Sequence, residues 1–591
     1  MKLWRADLSI PFAFTNDSLF HSTVIKGIID NGSWYFNAYL GMPTGLFLYD
    51  FPSAYSFYFL VIKAMSFFTS NYALVINIFF LFSFPLVTIT ALFVFRSFKV
   101  SYGPAIVGSI LFAFLPYHFL RGQQHLYLSS YFMIPLVVLV ALWIALDKPF
   151  IFTKKNNKIK FDFSFMTIAS IAIIIITAST GIYYVFFAGF FFLVSGLIAY
   201  SKAKDFRPVF VSVFLIVIMF LGTLINVAPS LIYRYKQGKN KVVAVRSINE
   251  SELYGLKITQ MLLPVTGHRL DFFMKVKSKY NQAFVVSEND FSSLGIIGAL
   301  GLIFLLARLF LVRSQKKETE KASSDNTLSA LSLLNLSAIL LATIGGFSSF
   351  FALVVSQQIR AYNRISIFIA FFALFAAVII IDKFLLTQAK KRFFQPLSYF
   401  FLLTILLVGI LDQTTGNFIP RYEFLKKEIS SQSRFVKEIE KKVPNNAMIL
   451  QLPYVPFPEN PPVHLMTDYD HFAGGYLHSK NIRWSYGSMK GRSGDKWQKS
   501  ISEKPVNELI NNLSLSGFSG IYLDRFGYEN TDLENELKTF LGTKPIESES
   551  KRLIFFDLKT YSNKLKKQLS KEDWKLKKDK ALKPALLNRA D

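Results

Sequence analysis

The sequence contains no cysteine. That absence excludes disulfide bonds, thiolate chemistry and cysteine-based metal sites, so any domain outside the cytoplasm must be stable without covalent cross-links. Acidic residues are few, with 39 Asp and Glu against 66 Lys and Arg, and the formal net charge is +27. The motifs of soluble enzymes are also missing: the sequence has no phosphate-binding glycine loop, no metalloprotease helix and no nucleophilic serine elbow.

Apolar residues are abundant, making up 52% of the chain and including 63 Phe. This composition is typical of an integral membrane protein. Ten apolar segments, each near the roughly 20 residues that a bilayer core needs, predict membrane spans. They are 72–95, 101–120, 130–146, 163–180, 182–200, 208–226, 294–312, 328–345, 362–382 and 394–411.

The connections between these segments alternate between Lys/Arg-rich and Lys/Arg-poor. The rich connections belong in the cytoplasm under the positive-inside bias. They are 96–99, 148–160, 202–207, 308–321 and 383–392. Topology and anionic lipid thus account for much of the positive charge, and we predict no nucleic-acid partner.

The same count places the N-terminal region outside, although no apolar stretch precedes it. The first residues, MKLWRADLSIPF, lack the continuous apolar region of a signal peptide. We therefore expect a further helix upstream, which would raise the number of spans from about 10 to 11.

The predicted fold class is an α-helical polytopic membrane protein with a C-terminal α/β soluble domain. The expected divisions are a first outer loop at 1–70 with an interfacial helix at 55–68, a transmembrane domain at 71–411 with a large outer loop at 227–293, an outer α/β domain at 412–560 and a Lys-rich tail at 561–591. The domain shows strand patterns at 447–452, 520–523 and 553–558 and helical patterns at 423–442, 506–513 and 533–541. The tail is expected to be solvated and partly disordered.

Two acidic residues, Asp17 and Asp50, stand out in the first outer loop. Carboxylates at a membrane surface can bind a divalent cation or remove a proton from an acceptor hydroxyl as a general base. The alternative is structural, with both acids capping helices and Asp17 preceding the run LFHSTVIKGII.

Basic residues mark two further outer turns. The run HFLRGQQHLYL contains Arg121 and His125, and the run QQIRAYNRISIF contains Arg360 and Arg364. Arginine suits bidentate contacts with phosphate, and positive charge on the outer side runs against the topological bias. The alternatives are snorkelling of Arg121 to the membrane surface and pairing of Arg360 and Arg364 with outer carboxylates.

The segment 468–497 combines aromatic rings with polar groups and five glycines. Rings beside polar groups are what a carbohydrate face requires, so we predict a sugar- or acceptor-binding loop and no core element here. The alternative is a loop that packs on the membrane domain through its rings. The candidate sugar-binding residues are His125, Asp468, Asp470, His478, Arg483, Trp484, Tyr486 and Arg492.

In this layout the chain resembles the GT-C superfamily of membrane glycosyltransferases. The shared features are an acidic pair in the first outer loop, an aromatic interfacial stretch after it, an Arg-bearing outer end of a late span and an outer C-terminal α/β domain. The runs LPYVPFPE, YLHSKNIRWSYGSMKGR and GFSGIYLDRFGY look like those of bacterial multi-spanning proteins described as sugar translocases or glycosyltransferases.

The resemblance implies transfer of a hexose or pentose from a polyprenyl-phosphate donor to a glycan or lipid acceptor, at the outer face of the bacterial cytoplasmic membrane. Asp17 would be the base or a ligand of Mg²⁺ or Mn²⁺, and Asp50 is a looser match. Arg121, Arg360 and Arg364 would hold the lipid phosphate.

Two other functions stay open. A translocase for a lipid-linked saccharide predicts ionisable residues within the spans and symmetry-related repeats, and the sequence shows few of the former and none of the latter. A non-catalytic scaffold for envelope assembly predicts that the outer acids and arginines are replaceable.

Overall fold

The computed structural model of the protein describes residues 1–51, 53–155, 158–311, 320–388 and 394–586. The parts of the basic connections at 156–157, 312–319 and 389–393, and the end of the tail at 587–591, lie outside the described residues. Up to residue 413 the α-helices are α1 (Asp17–Asn31), α2 (Ser56–Ser66), α3 (Tyr72–Ser97), α4 (Tyr102–Ala113), α5 (Pro116–Arg121), α6 (Leu126–Ser129), α7 (Met133–Ala145), α8 (Phe165–Thr177), α9 (Ile182–Ala203), α10 (Arg207–Gln237), α11 (Glu250–Leu253), α12 (Ile258–Leu262), α13 (Asp271–Ala283), α14 (Gly295–Leu311), α15 (Glu320–Ala342), α16 (Phe347–Val354), α17 (Ser366–Gln388) and α18 (Phe394–Gln413).

Seven helices of the described chain are long and apolar enough to cross a membrane. They are α3, the combined segment Tyr102–Arg121, α9, α10, α15, the segment Tyr362–Gln388 and α18. The shorter helices α7, α8 and α14 have 13, 13 and 17 residues. Each of the ten predicted spans therefore coincides with a helix, and the chain is a multi-pass helical membrane protein. The helix expected at 55–68 is α2.

Three of the Lys/Arg-rich connections, those near 96–99, 308–321 and 383–392, adjoin each other at one end of the helix bundle. Lys383 Nζ lies 2.8 Å from the Asp325 carboxylate, and Arg308 lies 3.9 Å from the same group. The Asp382 carboxylate accepts a hydrogen bond from the amide of Ser101. Lys383 is 19 residues beyond Arg364 on the same helical segment, or about 28 Å along the axis. That distance is close to the thickness of a bilayer core, so Arg364 stands at the opposite membrane surface.

The helix α17 lies at the centre of the bundle, with 83% of its most apolar stretch buried inside the protein. It packs against α4, α14 and α15. The closest approach is at Gly301 of α14, where a Cβ atom would lie 2.1 Å from the carbonyl oxygen of Ala373. Only glycine allows the two helices to come this near.

Two short hairpins precede the C-terminal domain. Strands β1 (Phe36–Asn37) and β2 (Leu46–Phe47) pair in the first outer loop. Strands β3 (Ile151–Lys155) and β4 (Lys158–Asp162) pair in the basic connection between α7 and α8.

The C-terminal domain is a five-stranded mixed sheet with helices on both faces. Its strands are β5 (Ala447–Leu452), β6 (Ile482–Trp484), β7 (Phe518–Asp524), β8 (Ile546–Glu547) and β9 (Leu553–Asp557), in the order β6-β5-β7-β9-β8. β5 is parallel to β6 and β7, and β9 is antiparallel to β7 and β8. The helices are α19 (Tyr422–Lys442), α20 (Asp470–Ala473), α21 (Ser493–Ser502), α22 (Val506–Leu515), α23 (Asp532–Leu541), α24 (Lys559–Gln568) and α25 (Lys571–Leu586). The predicted α/β pattern is confirmed.

One hydrophobic cluster continues from the C-terminal domain into the first outer loop. It contains Trp484 and Tyr522 from the sheet, Leu19 and Ile25 from α1, and Tyr58 from α2. A second cluster covers the other face of the sheet beneath α21 and α22. The domain is thus packed directly on the loop that carries Asp17.

Residues 561–586 are exposed to solvent over most of their length, as expected, but they are helical where we expected partial disorder. These residues form most of α24 and all of α25, and Ala585 is fully buried. The indole Nε1 of Trp497 donates a hydrogen bond to the carbonyl of Ala581 at 2.8 Å. Apolar residues spaced among the lysines give α25 one face that packs against α21.

Candidate active site

Asp17 is the first residue of α1. The N-cap is Asn16, whose side chain makes no capping hydrogen bond and whose φ of 48° is unusual for a residue other than glycine. Among the hydrogen bonds of the described residues, the Asp17 carboxylate makes none. It is therefore not the helix cap that the structural alternative required, and it is available to a ligand.

The surroundings of Asp17 raise the pKa of its carboxyl to about 6. Desolvation by the neighbouring protein is the main cause, and repulsion from Asp468 adds to it, with smaller effects from Glu288 and Glu459. The side chain is nevertheless 47% exposed. Because it is both open to solvent and surrounded by protein, Asp17 lies in a recess.

His125 faces Asp17 from the turn between α5 and α6. Its Nε2 lies 3.8 Å from an Asp17 oxygen, too far for a hydrogen bond. Burial, followed by the positive charges of Arg121 and Arg364, holds the pKa of His125 well below its ordinary value. The ring is therefore neutral, and its Nδ1 is buried with no hydrogen-bond partner among the described residues.

Arg121 and Arg364 share one carboxylate beside this recess. Arg121 donates a hydrogen bond from Nη1 to Glu288 at 3.1 Å, and Arg364 Nη2 lies 4.0 Å from the same oxygen. Burial alone would raise the pKa of Glu288, but the two arginines lower it below its ordinary value. Two permanent positive charges thus face one negative charge, which leaves an excess charge of +1.

Both arginines keep hydrogen-bond donors without a partner in the described part of the chain. These donors are Nε and Nη2 of Arg121 and Nε of Arg364, and all are buried. The Arg121 guanidinium stacks 3.6 Å from the Phe291 ring, and the Arg364 guanidinium lies 4.1 Å from the Tyr183 ring. Buried cationic donors without partners are costly, so their arrangement favours an anionic ligand.

The C-terminal domain adds Asp468 to the recess. The ring of Tyr469 stacks on Phe20 of α1 at 5.5 Å, one helical turn from Asp17. Tyr469 has a φ of 69°, which turns the chain sharply beside Asp468. Repulsion from Glu459 and Asp470, after desolvation, raises the pKa of Asp468 as well. A single stacked pair of rings therefore places a second carboxyl within electrostatic reach of the first.

Arg360 lies apart from the shared carboxylate. It pairs with Glu250 at 3.2 Å and stacks over Tyr254 at 5.3 Å. This is the alternative in which an outer arginine pairs with an outer acid. Of the three predicted phosphate ligands, the structure brings Arg121 and Arg364 together and gives Arg360 a partner of its own.

Asp50 and Arg492, which we predicted as a second catalytic acid and a sugar ligand, bind each other. The two form an ion pair with hydrogen bonds of 2.7 Å from Nε and Nη2 of Arg492 to the carboxylate, which is 1% exposed. Asn240 donates a further hydrogen bond to Asp50. The Asp50 oxygens are thus occupied by protein donors, and a role of Asp50 in catalysis or of Arg492 in sugar binding stays a prediction.

The expectation that the segment 468–497 forms no core element is also wrong. Trp484 is fully buried in β6, and Tyr486 is 5% exposed among the rings of Phe457 and Phe472. Asp470 is paired with Arg552 at 2.7 Å. Trp484 and Tyr486 stabilise the domain, because a carbohydrate face needs rings that reach solvent.

Two other candidates from this segment lie away from the recess. The His478 ring contacts Phe14 and Gln432, and burial lowers its pKa to about 3. Arg483 is half-buried in β6, with Nε unpartnered among the described residues. Sugar binding by His478, Arg483 and His125 stays a prediction.

Sequence reasoning missed Glu288 and Glu459 as site residues. Glu288 stands in the large outer loop and has no partner nearby in sequence, while Glu459 is held by two hydrogen bonds from Arg246, 213 residues away. The single available signal was the presence of acids in outer segments that also contain arginines.

The residues around Asp17 do not form a metal site. Within the described ranges, no three His, Asp or Glu side chains come together as ligands. The donors at this point are the Asp17 carboxylate and the neutral ring of His125, with two arginines beside them. Mg²⁺ prefers several oxygen ligands, so the donor set does not fit a resident cation.

No protein-family model and no curated protein matches the sequence. Among solved structures, ArnT from Cupriavidus metallidurans bound to undecaprenyl phosphate is 10% identical, with 93% of this chain and 95% of ArnT covered and a TM-score of 0.49. The arabinofuranosyltransferase AftD from mycobacteria is 10% identical, with 87% and 36% covered and a TM-score of 0.44. An oligosaccharyltransferase from Archaeoglobus fulgidus, in complex with Zn and sulfate, is 12% identical, with 86% and 64% covered and a TM-score of 0.40.

This chain thus spans 36% of the length of AftD. Because the TM-scores lie below 0.5, the function of this chain has to be argued from its own side chains.

Proposed function

We propose that the protein is a membrane glycosyltransferase that moves a sugar from a polyprenyl-phosphate donor to a glycan or lipid acceptor at the outer face of the cytoplasmic membrane. The observation that carries the proposal is the recess itself. It combines an unpaired carboxyl with a raised pKa and two arginines whose donors are not all satisfied within the described chain.

The arginines supply the site for the departing phosphate. As the bond to the sugar breaks, negative charge grows on the phosphate, and fixed positive charge stabilises that growth. Arg121 is 2% exposed and Arg364 is 12% exposed, so water screens their charge only weakly. Glu288 keeps the two guanidinium groups together without cancelling both charges.

Asp17 supplies the base. The acceptor hydroxyl oxygen forms a bond to the anomeric carbon, the bond from that carbon to the phosphate oxygen breaks, and its electron pair leaves with the phosphate. The hydroxyl proton moves to the Asp17 carboxylate. A carboxyl with a pKa of about 6 is mostly ionised at neutral pH and is a stronger base than an ordinary aspartate.

Charge and geometry favour this role of Asp17 over a structural one. A capping or ion-paired carboxylate is normally more acidic than a free one, whereas the pKa of Asp17 is raised. Perturbed pKa values in a recess are typical of functional groups.

The decisive experiment measures sugar transfer in nanodiscs from a panel of radiolabelled polyprenyl-phosphate sugars to envelope material. Asp17→Asn is expected to lower the rate by about 10²- to 10⁴-fold, because a general base contributes that much. Arg364→Gln is expected to lower the rate as well, since it removes charge at the leaving phosphate.

The matched control is Asp7→Asn, which changes an exposed acid of the same outer region that is bonded to Ser9. Its transfer rate should stay at the wild-type level. Full activity in folded Asp17→Asn would refute the assignment of the base. Absence of transfer by every folded variant and the wild type would move the proposal toward translocation or a scaffold.

A further inference from the structure

A cavity of about 460 Å³ lies on the side of the C-terminal domain formed by α21, α22 and α25. We call it the basic pocket. Its lining residues are Lys496, Trp497, Ser500, Ile501, Lys504, Asn512, Leu515, Lys577, Lys580, Ala581 and Pro584. The volume lies within the roughly 300–1,000 Å³ that is usual for ligand sites.

The charge of the basic pocket has one sign. Four of its lining residues are lysines and none is acidic. Lys504 is paired with Glu508 at 2.7 Å. No carboxylate of the described chain lies within ion-pair distance of Lys496, Lys577 or Lys580. Three uncompensated ammonium groups around one cavity repel each other, and an anion in the cavity would relieve that repulsion.

The walls of the basic pocket also suit a sugar ring. Ala581 and Pro584 present apolar surface over the buried side chains of Ile501 and Leu515, and the C–H face of a sugar can pack against that surface. Ser500 and Asn512 add a hydroxyl and an amide that can exchange hydrogen bonds with sugar hydroxyls.

The helix α21 connects the basic pocket with the first outer loop. One side of α21 lines the pocket, whereas Gln498 on its other side donates a hydrogen bond to the carbonyl of Met42 at 2.6 Å. Arg492, the residue before α21, is paired with Asp50 of the same loop. The basic pocket is therefore connected through α21 to the first outer loop, which carries Asp17.

We propose that the basic pocket binds an anionic saccharide, a sugar carrying phosphate or carboxylate groups, and that the acceptor of the transfer is an anionic glycan. The binding of an anionic saccharide is argued from the basic pocket alone, whereas the identification of the acceptor rests on the proposed function. The lysines bind the charged groups while the apolar wall and the two polar side chains hold the ring.

The test is calorimetric binding of glucose 6-phosphate and glucuronate to the full chain in nanodiscs of phosphatidylcholine, with glucose as the neutral probe. We expect saturable binding of both anionic sugars and much weaker binding of glucose. The variant Lys496→Gln/Lys577→Gln/Lys580→Gln should weaken binding by about tenfold, since each exposed charge pair contributes modestly.

The matched control is Lys426→Gln/Lys441→Gln/Lys442→Gln, which removes three exposed lysines of α19 in the same domain. Its affinity should stay within twofold of the wild type. Equal loss in both triple variants, or no saturable binding to the wild type, would overturn the proposal.

Two further experiments distinguish a saccharide from a lipid headgroup as the ligand, and the pocket proposal from the proposed function. If nanodiscs containing phosphatidylglycerol abolish binding of glucose 6-phosphate through the same three lysines, the ligand is a lipid headgroup and the saccharide assignment is wrong. Asp17→Asn should bind the anionic sugars normally. If the wild type bound the anionic sugars but showed no transfer activity, the proposed function would be refuted and the pocket assignment would remain.

Discussion

At the scale of single residues, the recess places two carboxyls of unequal environment beside two arginines. Asp17 is surrounded by protein and repelled by Asp468, so its proton is held more tightly than in a free aspartate. Arg121 and Arg364 remain charged at any physiological pH because a guanidinium does not lose its proton there. The titration of Asp17 therefore decides at which pH the recess can accept a proton.

We expect the kcat/KM of transfer to rise with pH through about 6 and to level off above it, because Asp17 must be ionised to act as a base. Below that pH the value should fall about tenfold per pH unit. Desolvation is the main cause of the raised Asp17 pKa, and Asp468→Asn removes the repulsion that adds to it, so this variant should shift the acid limb of the profile to lower pH. A pH–rate profile of both proteins checks this, with Asp7→Asn expected to follow the wild-type curve. An acid limb unchanged in Asp468→Asn would show that the limb belongs to another group.

At the scale of helices, the membrane domain depends on the close packing of α17 with its neighbours. Arg364 is positioned at the end of the bundle opposite Lys383 by the helical segment that begins at Tyr362, and α14 fixes that segment through contact at Gly301. The backbone of α17 at Ala373 is in van der Waals contact with the glycine itself, so no side chain can be inserted without moving a helix.

Gly301→Ala should lower the free energy of unfolding by about 1–3 kcal/mol, because overpacking against a backbone carbonyl forces the helices apart. Thermal unfolding in detergent measures the loss as a lower Tm. The control is Gly416→Ala, where an added Cβ meets no atom within 4 Å. Equal Tm values for Gly301→Ala and Gly416→Ala would mean that the two helices can separate at little cost.

At the scale of the whole molecule, ion pairs between distant segments hold the C-terminal domain on the membrane domain. Arg492 binds Asp50 in the first outer loop and donates hydrogen bonds to the carbonyls of Gln237 and Gly238 at the C-terminal end of α10. Arg246 of the large outer loop binds Glu459 of the domain. These contacts hold Asp468 beside Asp17.

Arg492→Met should destabilise the docked domain by about 3–5 kcal/mol, because it leaves the buried Asp50 carboxylate without its partner. Limited proteolysis between α18 and α19 and thermal unfolding measure the effect. The double variant Asp50→Asn/Arg492→Met should lose less than the sum of the single variants, since neither charge is then left unpaired.

The control for this pair is Arg434→Met, which breaks an exposed pair with Glu549 and should cost less than about 1 kcal/mol. If Arg492→Met and Arg434→Met were equally stable, the buried pair would not hold the domain in place.

Hydropathy and charge order along the chain were enough to predict the ten spans, the interfacial helix and most strands of the C-terminal domain. These features depend on local composition and period, which can be read within about 20 residues. Residue chemistry also singled out Asp17, Arg121 and Arg364, which the structure brings to one recess. Their roles in transfer remain predictions.

Tertiary structure alone decided which charges meet. Asp50 and Arg492 are 442 residues apart, and Arg121 and Glu288 are 167 apart, so no local pattern distinguishes a buried ion pair from a catalytic acid. Tertiary structure also decided the burial of Trp484, which follows from β6 joining the sheet beside β5. It likewise placed the lysines of the tail at a pocket against α21. Pairing energy depends on distance and desolvation, and both are set by how the chain packs in three dimensions.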